Sequence, residues 1–238
     1  MSTRHPLTLI TRATRPIIVR PNNTCLLMQD LNFPFTNITR GWIAAKAAQK
    51  EVVGEFDDYF SMLARIQTNV TEILSAARRK GIKVIYSCLG YHDSELPSPF
   101  QIAIGGDWNL EGIAGTHIPQ WEPKPSDIVF SKPGWGASSN PYFMEYIASK
   151  KIQNVFILGS IFGLGVRQSS IEMADKGLAV LIASDAVTDV SYGELHSGLL
   201  GIAQIKNMVA ILDMINSGIP MSTSGYSHKQ RIEPLVSS

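Results

Sequence analysis

The length, composition and charge of the chain are those of an ordinary globular protein. Its 238 residues suit one large domain, and 45% of them are hydrophobic and 17% charged. The 21 basic and 20 acidic residues leave a net charge of +1, which favours neither nucleic acid nor an anionic membrane as a partner. No apolar run reaches transmembrane length, and the N-terminus lacks a signal-peptide pattern, so we expect no membrane association.

Both cysteines, Cys25 and Cys88, lie in apolar segments that resemble strands. Buried free thiols are typical of a reducing compartment, and this pattern predicts a cytoplasmic protein. The two ends of the chain differ from its middle. Residues 1–23 mix Arg, Thr and Pro without a period and predict an extended arm or, equally, a disordered tail. Residues 219–238 are polar and predict a C-terminal tail, so we expect the domain over residues 24–218.

The first predicted strand, residues 24–30, ends in a charged side chain. A carboxylate directly after buried apolar residues is unfavourable unless it is paired or functional. On this pattern alone, a residue that caps the following turn is the simpler interpretation of Asp30. A short helix is predicted over residues 41–49 and a long one over residues 51–80, whose apolar residues recur at helical spacing.

The second predicted strand covers residues 82–89. The lone His92 beside Asp93 is typical of a protein surface, so we expect no metal site there. Residues 90–126 are rich in Gly, Pro and Trp, and their apolar content predicts a lid or a wall of a substrate pocket.

A third strand is predicted over residues 127–132 and ends in Lys132. A lysine at the carboxyl end of a buried strand indicates a site residue, and the alternative is a side chain whose ammonium reaches solvent. A helix over residues 140–151 follows.

A strand, a glycine-rich turn and a helix come next. The apolar run 155–158 predicts a buried strand, and a helical pattern over residues 166–174 ends at Gly177, a C-cap. In an open parallel sheet, ligands bind at the carboxyl ends of such strands, and helix N-termini there bind anions. We therefore expect a ligand at residues 161–165.

A fifth strand is predicted over residues 178–184 and a last helix over residues 194–215. Strands and helices thus alternate along the chain. This alternation predicts an α/β fold in three layers, with a mostly parallel, six-stranded sheet and helices on both of its faces.

The turn Gly159-Ser-Ile-Phe-Gly-Leu-Gly165-Val166 resembles a motif of the isochorismatase-like family, Gly-x-x-Thr-x-x-Cys-Val. This family includes the cysteine hydrolases, among them nicotinamidases and carbamoylsarcosine and ureidoacrylate amidohydrolases. The alignment places the family's nucleophilic cysteine on Gly165, so the nucleophile is absent. The resemblance covers about residues 24–216 and implies a Rossmann-type sheet.

Two charged residues extend the resemblance. Asp30-Leu-Asn-Phe33 is similar to the family's Asp-x-Gln/Asn-x-x-Phe, whose Asp is the catalytic acid and base, and Lys132 matches the lysine of Val-x-Lys-x-x-x-Ser-Ala-Phe. The resemblance thus implies catalytic roles for Asp30 and Lys132, a structural role as a turn or cap for Asp185, and homo-oligomers, either dimers or tetramers. It implies no cofactor and no metal, because Leu89 stands where nicotinamidases carry a metal-binding Asp.

True isochorismatases also lack the nucleophile, and their Asp protonates the vinyl carbon of an enol ether. They carry a Tyr and a Gln where this chain has Ile161 and Leu89. The resemblance therefore implies a more apolar substrate pocket here, lined by Leu89, Trp135, Ile161, Phe162 and Gly165.

Three functions remain open from the sequence. The first is an acid–base hydrolase that acts on an enol ether or a related small molecule. The second is an amidohydrolase whose cysteine has been replaced at Gly165. The third is a non-catalytic member that binds a ligand or serves assembly, although a pocket without a reaction has no reason to keep two buried charges.

Overall fold

The chain folds around one parallel sheet of six strands. A computed structural model describes residues 17–190 and 203–217. The strands lie in the order β3-β2-β1-β4-β5-β6, and each pairs in parallel with its neighbours. Their bounds are β1 Thr24–Gln29, β2 Lys83–Leu89, β3 Ile128–Lys132, β4 Asn154–Gly159, β5 Ala179–Val187 and β6 Ala203–Lys206.

Seven α-helices connect or flank these strands in the described part of the chain. They are α1 Phe33–Thr36, α2 Trp42–Ala47, α3 Asp57–Arg79, α4 Pro99–Ile104, α5 Pro141–Ser149, α6 Arg167–Asp175 and α7 Met208–Ser217. Within residues 17–190 and 203–217, no helix is both long and apolar enough to cross a membrane.

The sheet separates two hydrophobic cores, which confirms the predicted three layers. One core joins α3 and α7 to side chains such as Leu26, Met28 and Phe156. The other joins α5 and α6 to side chains such as Leu27 and Ile157. Alternate residues of β1 and β4 thus enter opposite cores, as the two-residue period of a strand requires.

The long helix shows how closely burial follows the predicted pattern. Along α3, the predicted apolar positions Leu63, Ile66, Val70 and Ile73 are buried, and Phe60 packs against the same core while partly exposed. The helix begins six residues later than predicted, because residues 50–52 form a separate 3₁₀ turn.

The prediction of one helix over residues 194–215 is wrong at residues 203–207, and it is confirmed from Met208 onward. Residues Ala203–Lys206 form strand β6 instead, which pairs with β5 from Val180 to Ala183, and α7 starts only at Met208. Ile205, assigned to the inner face of that helix, is 41% exposed at the sheet edge. The edge of β5 offers unpaired backbone groups, and pairing them outweighs the helical spacing of a few apolar residues. Residues 194–202 lie outside the described residues.

The ends of the predicted domain are described only in part. Within the predicted arm, Ile17 and Val19 are buried in the first core, and the carbonyl of Ile18 accepts a hydrogen bond from the Asn154 side chain at 3.0 Å. Residues 17–23 therefore pack on the domain. The rest of the arm and the predicted tail lie outside the described residues.

Candidate active site

The candidate site lies where the chain reverses its direction across the sheet. From β1, the sheet grows one way through β2 and β3 and the other way through β4 to β6. A crevice forms at the carboxyl ends of the two central strands of such a sheet, and ligands bind there. Asp30 follows β1, and the glycine-rich turn follows β4, so both lie at this crevice.

Asp30 and Lys132 form an ion pair that is fully buried. The Lys132 ammonium lies 2.8 Å from Asp30 Oδ2, and both side chains are 0% exposed. The ammonium also donates to the carbonyls of Gly134 at 3.1 Å and Trp135 at 2.9 Å. All three of its hydrogens therefore have an acceptor, as a buried ammonium requires. The structure excludes the alternative in which Lys132 reaches solvent.

The backbone of Asp30 is held in an uncommon conformation. Its φ is +51°, in the left-handed region that few residues other than Gly, Asn and Asp adopt. Its N–H donates to the carbonyl of Ser87 at 3.0 Å, and its Oδ1 accepts from the N–H of Leu89 at 2.7 Å. The carboxylate is thus fixed by β2 on one side and by Lys132 on the other.

Burial raises the pKa of Asp30 above its ordinary value, because the charged form loses its hydration. The ammonium of Lys132 opposes this rise, and the Leu89 N–H and the Gln29 side chain oppose it further. Burial thus favours the protonated carboxyl that a general acid needs, and the ammonium favours the carboxylate; the direction for Asp30 is a raised pKa.

Gly165 lies directly against this carboxylate. It belongs to a π-helical turn, Phe162–Val166, that leads into α6. A Cβ at this position would lie 3.0 Å from Asp30 Oδ2 and 2.5 Å from Gln29 Nε2. The second distance is too short for a contact, so the Gln29 carboxamide occupies the space that a side chain at position 165 would need.

Gln29 is the residue that reasoning from sequence missed. It is 0% exposed, and its Nε2 donates to the carbonyl of Trp135 at 3.1 Å. Its signal was a polar residue in an otherwise apolar buried strand, immediately before the candidate acid. A polar residue at this position of a buried strand indicates a site residue in the same way as the neighbouring Asp30 does.

The four residues predicted to line the pocket with Gly165 lie in, or contribute contacts to, the region between Gly165 and the Asp30–Lys132 pair. Leu89 and Ile161 are buried in one core and Phe162 in the other. Leu89 contributes its backbone N–H to Asp30, and Trp135 contributes its carbonyl to Lys132 and Gln29. The Trp135 ring packs edge-on against Phe100 and Trp42. The substrate contacts assigned to these side chains stay a prediction.

The three serines in and directly after the turn have hydroxyls that are engaged in hydrogen bonds. Ser160 Oγ lies 2.7 Å from the Tyr59 hydroxyl and accepts from Thr188 at 3.0 Å. Ser169 Oγ accepts from the N–H of Ala137 at 2.8 Å, and Ser170 donates to the carbonyl of Val166 at 2.7 Å. These hydroxyls hold the turn and α6 in place.

The two thiols are also unsuited to replace the missing nucleophile. Burial raises the pKa of Cys25 to about 12 and raises the pKa of Cys88 as well, with the charge of Asp30 adding to the second shift. Both thiols therefore stay protonated at neutral pH, and a protonated thiol is a weak nucleophile.

Asp185 and His92 both lie in contacts that are structural rather than catalytic. Asp185 Oδ1 accepts from the N–H of Met208 at 2.8 Å and so caps the start of α7. His92 pairs with Glu111 at 2.8 Å on the surface, with side chains 40% and 54% exposed. Over the described ranges, no group of three or more His, Cys, Asp or Glu residues could hold a metal ion.

Comparison with known proteins agrees with this fold. The isochorismatase domain family matches residues 25–214 of the chain. No curated protein shows significant similarity to the chain.

Several solved structures share the architecture at low sequence identity, and at such identity the likeness shows the fold alone. A cysteine hydrolase from Pseudomonas syringae pv. phaseolicola is 13% identical with a TM-score of 0.65, and the match covers 87% of this chain and 99% of that one. An isochorismatase family protein from Burkholderia thailandensis is 16% identical with a TM-score of 0.65, over 85% and 100% of the two chains. N-carbamoylsarcosine amidase from Thermoplasma acidophilum is 15% identical with a TM-score of 0.61, over 78% and 96%. With the domain match spanning most of its length, the chain belongs to the isochorismatase family of hydrolases.

Proposed function

We propose that this hydrolase cleaves the enol ether of a small, partly apolar molecule by acid–base chemistry at Asp30 and Lys132. The observation that carries the proposal is the buried pair itself, a carboxyl of raised pKa 2.8 Å from an ammonium beside a residue without a side chain. Two buried charges are expensive to retain, so a reaction that uses them is the simplest account of their presence.

In the proposed reaction, the Asp30 carboxyl donates its proton to the terminal vinyl carbon. The ether carbon becomes an oxocarbenium ion, and Asp30 becomes a carboxylate that Lys132 stabilises. Water adds to the cation and returns one proton to Asp30. The resulting hemiketal then separates into a carbonyl compound and an alcohol, so every proton and bond is accounted for.

The lack of a nucleophile supports this chemistry over amide hydrolysis through a covalent intermediate. Position 165 is a glycine, Ser160, Ser169 and Ser170 in and after the turn are engaged in hydrogen bonds, and both thiols have raised pKa values. A cysteine-type amidohydrolase would need one of these groups as its attacking atom.

The test is a screen of vinyl ethers, amides and ureas with the wild-type protein, followed by Asp30→Asn on whichever compound is hydrolysed. We expect turnover of a vinyl ether and a loss of about 10²–10⁴-fold in kcat for Asp30→Asn, the usual contribution of a general acid. Asp213→Asn changes an exposed carboxylate on α7 and is the matched control. Full activity in Asp30→Asn, or turnover of amides alone, would refute the proposal.

A further inference from the structure

The carboxamide of Gln29 has a definite orientation within the candidate site. Its Nε2 donates to the Trp135 carbonyl at 3.1 Å, and this carbonyl also accepts from Lys132. Because the carbonyl can only accept, the nitrogen of the carboxamide must face it, and Oε1 must face the other way. Oε1 is buried and has no hydrogen-bond partner among the described residues.

A second buried oxygen in the same situation lies beside it. In the pairing of β1 with β2, Gln29 stands opposite Ser87, so both side chains project from the same face of the sheet. The Ser87 Oγ is likewise buried, and the residues described here supply it no hydrogen-bond partner. Buried polar atoms are almost always paired, and two unpaired ones side by side indicate a place for a small polar group.

The two residues lie next to Asp30, the proposed proton donor, in the sheet and along the chain. Gln29 is the last residue of β1, Ser87 lies two residues before the end of β2, and the Ser87 carbonyl accepts from the N–H of Asp30 at 3.0 Å. The Gln29 carboxamide also fills the space above Gly165. In this chain the group that occupies the space next to Gly165 is therefore an amide. An amide can bind a nucleophile but cannot itself attack.

We propose that Gln29 Oε1 and Ser87 Oγ hold the water molecule that replaces the absent thiol. This inference rests on the proposed function. Gln29 Oε1 accepts one hydrogen of the water, and the Ser87 hydroxyl donates to one of its lone pairs. The second lone pair is then free to attack, and the second hydrogen is free to pass to Asp30. The water oxygen forms its bond to the oxocarbenium carbon, and one of its protons passes to the Asp30 carboxylate, so that Gln29 and Ser87 neither gain nor lose a proton.

The kinetic test uses Gln29→Leu, which keeps much of the side-chain volume but removes the acceptor. With a vinyl ether that the wild type hydrolyses, we expect kcat to fall about 100-fold while KM changes little, since a misplaced reactant costs about that factor. Ser87→Ala should lower kcat in the same sense. With methanol added to the assay, Gln29→Leu should form more of the methyl adduct relative to the hydrolysis product, because water no longer has a privileged position.

Thr24→Val is the matched control for these variants, because Thr24 is a buried polar residue at the opposite end of the same strand. It should leave kcat and the product ratio at the wild-type values. A rise of KM at constant kcat in Gln29→Leu would mean that Gln29 binds substrate, and an unchanged methanol ratio would mean that it does not position water. Either result overturns the inference while Asp30→Asn still tests the proposed function.

A double-mutant cycle measured by thermal unfolding tests, without any substrate, whether Gln29 fills the space next to Gly165. Gly165→Ala should lower the melting temperature by about 2–10 °C in the wild type, because the new methyl group meets Gln29 Nε2. In a Gln29→Ala background, the same change should lower it much less. Equal losses in both backgrounds would show that Gln29 does not fill this space and would overturn the inference. If no vinyl ether is hydrolysed, the proposed water-binding role of Gln29 and Ser87 is refuted together with the proposed function. The thermal unfolding cycle still shows whether Gln29 fills the space next to Gly165.

Discussion

Lys132 has an acceptor for each of its three ammonium hydrogens, and one of these acceptors, Asp30, is a carboxylate. Such a pair is costly to bury, but it is far more costly to break, because the remaining partner is left charged and unpaired. The two residues must therefore be treated as a unit when their substitutions are interpreted.

Lys132→Met should consequently destabilise the protein strongly. We expect the free energy of unfolding to fall by about 3–5 kcal/mol, the range for removing one partner of a buried ion pair. Chemical denaturation at neutral pH measures this loss. Lys124→Met, at an exposed position, is the matched control and should change stability by less than about 0.5 kcal/mol. A loss as small as that of the control would mean that the pair does not form in solution.

The direction of the Asp30 shift also fixes the sign of a pH dependence. A general acid is active while protonated, so kcat/KM should be highest below the pKa of Asp30 and fall as pH rises through it. Because burial raises that pKa, the midpoint of the fall should lie above the ordinary value of 3.8. A base that activates a thiol would give the opposite slope. The profile of kcat/KM against pH measures the sign, and activity that rises through this midpoint would contradict an acid role.

The turn after β4 is held by a chain of hydroxyl groups that connects four elements. Tyr59 on α3 donates to the carbonyl of Phe35 at 2.6 Å and lies 2.7 Å from Ser160 Oγ, to which Thr188 donates at 3.0 Å. Since the tyrosine has one hydrogen, Ser160 must donate to Tyr59 and accept from Thr188. The turn therefore cannot shift without breaking a buried bond.

Tyr59→Phe should show what this chain contributes. The change leaves the Phe35 carbonyl without this donor and the Ser160 hydrogen without its acceptor, so we expect a loss of about 1–3 kcal/mol in the free energy of unfolding. Denaturant titration measures it. Tyr142→Phe, at a tyrosine that is 67% exposed, removes the same hydroxyl from the surface and should be neutral. Equal effects of the two substitutions would argue that the hydroxyl chain adds nothing.

At the scale of elements, periodicity predicted the first five strands and most helices. It failed at residues 203–206, where the spacing of Ile205 and Val209 favours a helix while the open edge of β5 favours a strand. Local spacing cannot report the presence of a neighbouring strand, so an edge strand next to a helix is where such reasoning is weakest.

For the whole molecule, the alternation of strands and helices predicted the layers of the fold, and the family pattern brought Asp30, Lys132 and Gly165 together. Gln29 was missed because its importance comes from packing. Only the approach of the turn after β4 to the end of β1 shows that its carboxamide fills the space above Gly165. Contacts between distant segments of this kind have no local signature in the sequence.

His117 connects the stability of the whole molecule to pH. Burial lowers its pKa below 6.5, because the protonated ring would lose its hydration. The unfolded chain therefore binds a proton that the folded one does not, so stability present above pH 6.5 should be lost as pH falls through the lowered pKa. His117→Gln should flatten this decline in a series of denaturation midpoints. A decline as steep as that of the wild type would assign it to other groups.

The short helix α4 is tied to the strand that carries Lys132. Ser98, at its start, donates to the carbonyl of Pro133 at 2.7 Å, and Gln101 donates to the carbonyl of Lys132 at 3.2 Å. Phe100, between them, packs edge-on against Trp135 at 5.2 Å between ring centroids. A molecule that displaced this segment would pull on the peptide groups directly before the two whose carbonyls accept from the Lys132 ammonium. Substrate entry past α4 would therefore also change the position of the Lys132 ammonium. A substitution in α4, far from the Asp30 carboxyl, would then alter how that ammonium is placed.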